Sequence, residues 1–126
     1  MSVEVGWDDD AQTIIRQIYS GHLTLQDYFT GTDECMRLAG SVTHPVHTFM
    51  DRTQVLSNPA MILPALRYAN THLPPNLTLR IIVKPILFTK VIIELAQHIA
   101  PRLVENLYFV ETLDEARRIA GQPPLK

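Results

Sequence analysis

The sequence predicts a single α/β domain, a mixed five-strand sheet with helices packed on it, in the order β-β-α-β-α-β-α-β-α. Three observations carry that expectation. Two strand-like runs open the chain with only a polar turn between them. From residue 24 onward, stretches of helical periodicity alternate with short runs rich in β-branched residues. The length of 126 residues, 46% of them apolar and 19% charged, suits one core that needs no disulfide or metal.

The elements follow in order. "VEVGW" (3–7) and "TIIRQIYS" (13–20) read as two strands of an antiparallel hairpin joined through "DDDAQ". A first helix is expected over 24–40. Thr24 serves as N-cap with Asp27 three residues on, a weak capping box, and Leu25, Tyr28, Phe29, Thr32, Cys35, Met36 and Ala39 fall on one side. "VHTFMD" (46–51) behind Pro45 reads as a buried strand. Asn58-Pro59 suggests a turn. "PALRYANTHL" (64–73) suggests a second helix with Pro64 in its first turn, closed by "PPN". "LTLRIIVKP" (77–85) is the clearest strand, "ILFTKVIIELAQHIAP" (86–101) a long helix that Pro101 helps to end, and "NLYFVE" (106–111) a last strand. "TLDEARRIAG" (112–121) has Thr112 as N-cap and Glu115 at the third helical position, a capping box, with Gly121 and Pro123 as stops. The tail, 122–126, is expected to be flexible.

Charge and composition exclude some functions. With 11 basic and 13 acidic side chains the formal net charge is −2, so nothing drives phosphate-backbone binding and nucleic acid is not an expected partner. Lys84, Lys90 and Glu94 interrupt the most apolar region, so no membrane span is expected. The opening "MSVEVGWDDD" has neither the positive nor the apolar segment of a signal peptide. One cysteine, Cys35, cannot form an internal disulfide, and a cytoplasmic location is the expectation.

The element order and several short stretches resemble the STAS domain, the fold of bacterial anti-sigma-factor antagonists, and the related SpoIIAA-like and SEC14-like domains. "YFVETLDEARRIA" resembles that family's close, a strand followed by "d-eeA" on the last helix. "GHLTLQDY" resembles its "G-lt-Dy" entry into the first helix, and "PVHTFMD" takes the place of its third strand. The resemblance implies a non-enzymatic regulatory or protein-interaction module. The family's phosphorylatable serine sits in a D-S-x-G context where the second helix begins. Here the chain reads "DRTQVLSNPAM", so the motif is missing and Ser57 is a phosphorylation candidate by approximate position alone.

The stretch "SVTHPVHTFMDRTQV" (41–55) carries most of the polar candidates. His44 and His47 invite a metal reading. Pro45 and the β-rich residues after it argue against a helix, however, and strand positions of odd separation diverge, so no metal site is assigned. His47, Phe49 and Asp51 should share one face of that strand; Val46, Thr48 and Met50 should share the other. Asp51 should stand at the carboxyl end of a central strand, where open α/β sheets bind ligands. Asp51, Arg52, Lys84 and Lys90 are therefore the ligand-binding candidates, with water-facing or helix-capping charges as the plain alternative.

Catalytic patterns are absent from the sequence. There is no G-x-S-x-G, and five unclustered glycines make neither a P-loop nor G-x-G-x-x-G. Cys35 falls on a core face, where a thiol is inert. Asp51 and Glu111 could form a carboxylate pair, but two carboxylates without context are unspecific. No catalytic residue and no cofactor is assigned, and no enzyme is expected.

On the long helix, Lys90, Glu94, Gln97 and His98 make a polar stripe, and Val91, Ile92, Leu95 and Ile99 suit the core. Ile86, Ile93 and Ala100 are left as surplus apolar surface and interface candidates. Val55, Leu56, Met61 and Ile62 could join that contact or form a lid over the carboxyl edge. The functional expectation is a self-associating interaction module, a homodimer or a partner of another protein. The alternative is a domain binding a small, apolar, lipid-like ligand at the carboxyl edge of the sheet.

Overall fold

A computed structural model describes residues 2–84 and 87–121. The element order is the expected one, with one added turn of helix. β1 (Val3–Trp7) and β2 (Ile14–His22) form the hairpin. There follow α1 (Leu25–Gly40), β3 (Val46–Ser57), α2 (Leu63–His72), β4 (Leu77–Val83), α3 (Leu87–Ile99), the short α4 (Pro101–Val104), β5 (Leu107–Val110) and α5 (Leu113–Ala120). The strands lie side by side in chain order, with β1–β2 antiparallel and every later pair parallel.

Local chemistry explains most boundaries. The hairpin turn is held by the Asp9 carboxylate, which accepts from the Thr13 and Ile14 amides and the Thr13 hydroxyl. Thr24 and Asp27 complete a reciprocal capping box at the start of α1. Thr112 accepts from the Glu115 amide at the start of α5.

The strand order fixes the layers. From β2 to β5 each crossover steps one strand in the same direction. Right-handed crossovers of that kind place their helices on one face of the sheet. Packing agrees: α1 meets α2 and α2 meets α3, while α5 packs on β3, β4 and β5. Strand alternation then assigns the side chains. Phe49, Ile81, Val83 and Val110 meet Ala116 of α5 in one core. Ile15 and Val46 meet Cys35, Leu38 and Ala39 of α1 in another.

Two expectations are corrected here. β3 does not stop at Asp51 but continues to Ser57, because the far half of β2 supplies partners, with Ser20 opposite Gln54 and Gly21 opposite Val55. The extension crosses two irregularities in register, and Gly21 takes up one of them with φ of 73°. The second correction concerns α3. Val91 and Leu95, assigned to the core, are 53% and 47% exposed, whereas Ala96 and Ala100 are fully buried. The inward stripe is Ile93, Ala96 and Ala100, at i, i+3 and i+7. Pro101 opens α4, which packs beside α3, so small alanines fit where α3 comes close to its neighbours. Ile86 and the tail 122–126 lie outside the described residues. No helix among the described residues is long and apolar enough to cross a membrane.

Candidate functional site

Between the sheet and the α1–α2–α3 layer lies a cavity of about 160 Å³. Its floor is the helix-facing side of three strands: Gln17 and Tyr19 of β2, Thr48, Met50 and Arg52 of β3, and Arg80 and Ile82 of β4. Tyr28, Thr32, Cys35 and Met36 of α1, at i, i+4, i+7 and i+8, form one wall. The roof is α2 with its flanking residues, through Ile62, Ala65, Leu66, Ala69 and Leu73, and Ile93 of α3 closes a side.

The sequence explains why the space stays open. Ala65 and Ala69 put the smallest side chains of α2 toward a floor that is itself polar or flexible. Helix α2 packs chiefly on α1, α4 and α3 rather than down on the strands. An interior at normal density would need large side chains at these positions. The cavity is about the size of engineered ones that hold a benzene molecule.

One end of the cavity carries a buried polar cluster. Arg52 is 2% exposed. Its Nη1 donates to the Tyr28 hydroxyl at 2.8 Å, and its Nη2 donates to Asn58 Oδ1. The Tyr28 hydroxyl in turn donates to the same Asn58 oxygen. The guanidinium carbon also lies over the Tyr28 ring, 5.8 Å from its centre, so a cation–π contact accompanies the hydrogen bond. Buried Arg52 Nε and Asn58 Nδ2 have no hydrogen-bond partner among the described residues. Further in, the Tyr19 hydroxyl donates to Gln17 Oε1 at 3.1 Å. At the opposite end Arg80 Nη1 donates to the Glu105 carbonyl. Among the described residues, no Asp or Glu lines the cavity.

Burial sets the electrostatics. It pushes the Tyr28 hydroxyl above its ordinary range despite the opposing pull of Arg52, and it pushes Tyr19 further still. The Cys35 thiol is raised to about 11, which makes it a poor nucleophile, as its place on a core face implies. Burial also lowers the Arg80 pKa.

The ligand-binding candidates from the sequence do not converge. Asp51 and Arg52 are neighbours on a strand and so point to opposite faces. Asp51 faces away from the cavity, 3% exposed, and accepts from Arg16 Nη2 at 2.8 Å and from the Thr53 hydroxyl and amide. Burial alone would raise its pKa, but those donors outweigh it and hold the carboxyl below its usual value. Lys84 is exposed beyond β4 with φ of 54°, and no hydrogen bond or ion pair among the described residues joins it to Asp51 or Arg52. The side chain of Lys90 lies outside the described residues. Of the three whose side chains are described, only Arg52 reaches the cavity.

The remaining candidates are equally definite. Ser57 ends β3 well before α2, and its hydroxyl contacts His22 Nδ1 at 2.7 Å on an exposed surface. Among the described residues no carboxylate holds that imidazole as a third group would in a hydrolytic triad. Of the interface candidates, Ala100 is fully buried and Ile93 is half-buried and lines the cavity; among the described side chains, the exposed large apolar residues of α3 are Val91 and Leu95. Ile62 lines the cavity, while Leu56 and Met61 are exposed. His44 lies ahead of β3 and bonds the Gln12 carbonyl, whereas His47 bonds Thr78 on the α5 side.

Sequence reasoning missed Tyr28, Asn58, Gln17 and Thr48 as cavity residues. A signal existed for the first. Tyr28, Thr32 and Cys35 form a helix stripe more polar than a plain core needs. Asn58 had none, since Asn-Pro reads as a turn on any chain.

No family model matches the chain, and no curated protein matches it. The cavity must therefore be interpreted from its own chemistry.

Proposed function

We propose that this chain is a non-enzymatic, STAS-like module that binds a small ligand in the cavity beneath α2. The observation that carries the reading is a preformed space of about 160 Å³, mostly apolar in its lining, with a polar cluster at one end. Ligand sites are typically concave and apolar, with a few polar groups that fix orientation. The element order supports the STAS-like resemblance. The site lies beneath the helical layer, inside the carboxyl edge where the sequence directed attention.

Native mass spectrometry after gentle purification tests the reading. The full chain should carry a bound small molecule, and Ala69→Phe, which fills the cavity from α2, should be folded and carry none. A wild-type spectrum of the bare chain, together with no thermal shift from any compound in an apolar fragment library, would sink it.

Val91 and Leu95 favour a second reading, self-association through the outer face of α3. Two exposed apolar residues at i and i+4 make a stripe that a second copy could cover. Light scattering decides it. A dimer should become a monomer on Leu95→Glu, and a wild-type monomer at high concentration would remove the idea.

A further inference from the structure

Three other arginines of this chain pair with acids. Arg16 pairs with Asp51, Arg37 with Glu34 and Arg117 with Asp8. All three guanidinium side chains are more exposed than Arg52. Arg52 is the most deeply buried of the four, yet its bonded partners are the neutral Tyr28 hydroxyl, Asn58 oxygen and, weakly, the Met50 sulfur. Buried charges are normally paired, because neutral partners replace only part of the lost hydration.

Two further donors beside it are unspent. Arg52 Nε and Asn58 Nδ2 are buried without partners, and both residues line the cavity. The cavity thus has a cation and free N–H groups at one end and no acid in its walls. Arg80 sits at the other end. It is opposite Thr48 in the register, about 13 Å from Arg52 along the strands; its Nη1 is engaged by the Glu105 carbonyl, while its buried Nε, like that of Arg52, has no partner among the described residues. The two guanidiniums are too far apart to share one small head group, so a head group at the Arg52 end meets one guanidinium there.

The rest of the lining defines the body. Ala65, Leu66, Ala69, Ile82 and Met50 are apolar, and a space of about 160 Å³ holds roughly one aromatic ring or its aliphatic equivalent. A multiply charged phosphate at the Arg52 end would waste that apolar surface and find a single cation within reach. We propose that the ligand is a small organic monocarboxylate. Its carboxylate sits at Arg52 and Asn58, and its ring-sized apolar body lies beneath α2. This rests on the ligand-binding reading above and specifies the chemistry of that site.

The test compares benzoate with benzamide, equal in shape and different in charge, by calorimetric titration of the full chain, with amide NMR shifts mapping contact at Ala65 and Ala69. Benzoate should bind about tenfold more tightly, the margin of a charge-assisted over a neutral hydrogen bond. Asn58→Asp supplies Arg52 with an internal carboxylate and removes the idle Nδ2. It should raise the melting temperature and abolish the preference for benzoate. Arg52→Gln should abolish the preference too, and Asn58→Asp keeps the test decisive if that variant fails to fold. Equal binding of benzoate and benzamide at Ala65 and Ala69, or a preference that survives Asn58→Asp, overturns the carboxylate inference and leaves the ligand-binding reading standing. Binding of neither probe overturns the inference directly, and the native mass spectrum then decides the broader reading.

Discussion

The two faces of β3 receive consecutive charged residues and treat them in opposite ways. Asp51 and Arg52 are 3% and 2% exposed. On the α5 side, Asp51 is met by a guanidinium, a hydroxyl and an amide from its own chain, beside a core filled by Phe49, Ile81, Val83 and Val110. On the α2 side, Arg52 is met by neutral groups beside a cavity. A buried charge whose partners belong to its own chain is part of the structure. One whose donors remain free beside an open space is the feature on which the proposed ligand site rests. The faces differ because α5 packs down on three strands, whereas α2 rests on other helices.

Truncating neighbours on β3 should expose that difference most strongly. Phe49 is fully buried on the packed side, and Phe49→Ala should cost about 3–5 kcal/mol in urea unfolding. Met50 lines the cavity, half-buried at the edge of the cluster of Val3, Tyr19, Leu23 and Val55. Met50→Ala should cost only about 1–2 kcal/mol, below the usual range for this truncation because it enlarges an existing void. Equal costs would mean that the two faces are equally packed.

Asp51→Asn addresses the charge side of the comparison. Arg16 is partly exposed and can turn to water, so the loss should be about 1–3 kcal/mol, less than for a fully buried pair. The carboxyl is held below its ordinary value of 3.8 in the fold, so its stabilisation is complete above that value. It fades as pH falls through the lowered folded value. The wild type should therefore lose stability on that acid limb, and the variant should show a flatter one. Identical limbs would show that Asp51 is not held by its partners.

Element types were legible in the sequence because caps and periodicity are local. Thr24 with Asp27 marks the start of α1, and Thr112 with Glu115 marks that of α5. The alternation of His47, Phe49 and Asp51 against Val46, Thr48 and Met50 was equally local and fixed which residues share a face. The end of β3 was not legible, because residues 52–57 are strand only through their pairing with β2, set by contacts distant in sequence. The rotation of α3 was hidden for another reason. A helix apolar around more than half its circumference has no unique inward stripe, and Ala96 and Ala100 won by size rather than hydrophobicity. Arg52 was named as a candidate, but its partner Asn58 depends on how residues 58–62 return toward α1, which no local pattern encodes.

Adding volume should reverse sign between the faces. Ala116→Leu on α5 enters a filled core and should cost about 1–3 kcal/mol. Ala69→Leu adds apolar atoms to the cavity and should be neutral or stabilising by about 0.5–1 kcal/mol. A cost at both positions would mean that the cavity closes over on its own in solution.

The smallest expected effect tests how dry the packed side is. His47 lies on that face, its Nδ1 hydrogen-bonded to the Thr78 hydroxyl at 2.6 Å. Burial lowers its pKa below the ordinary value of 6.5, and the Asp9 carboxylate only partly opposes the shift. The neutral ring is thus the native form, and the unfolded chain binds the proton more readily. By linkage its contribution is complete above pH 6.5 and declines as pH falls from there through the folded value, since acid then favours the unfolded state. Urea midpoints measured across that window should decline gently in the wild type and stay level in His47→Gln. An upward trend toward acid would mean that the imidazolium is stabilised in the fold, and that this face is more polar and better hydrated than its packing indicates.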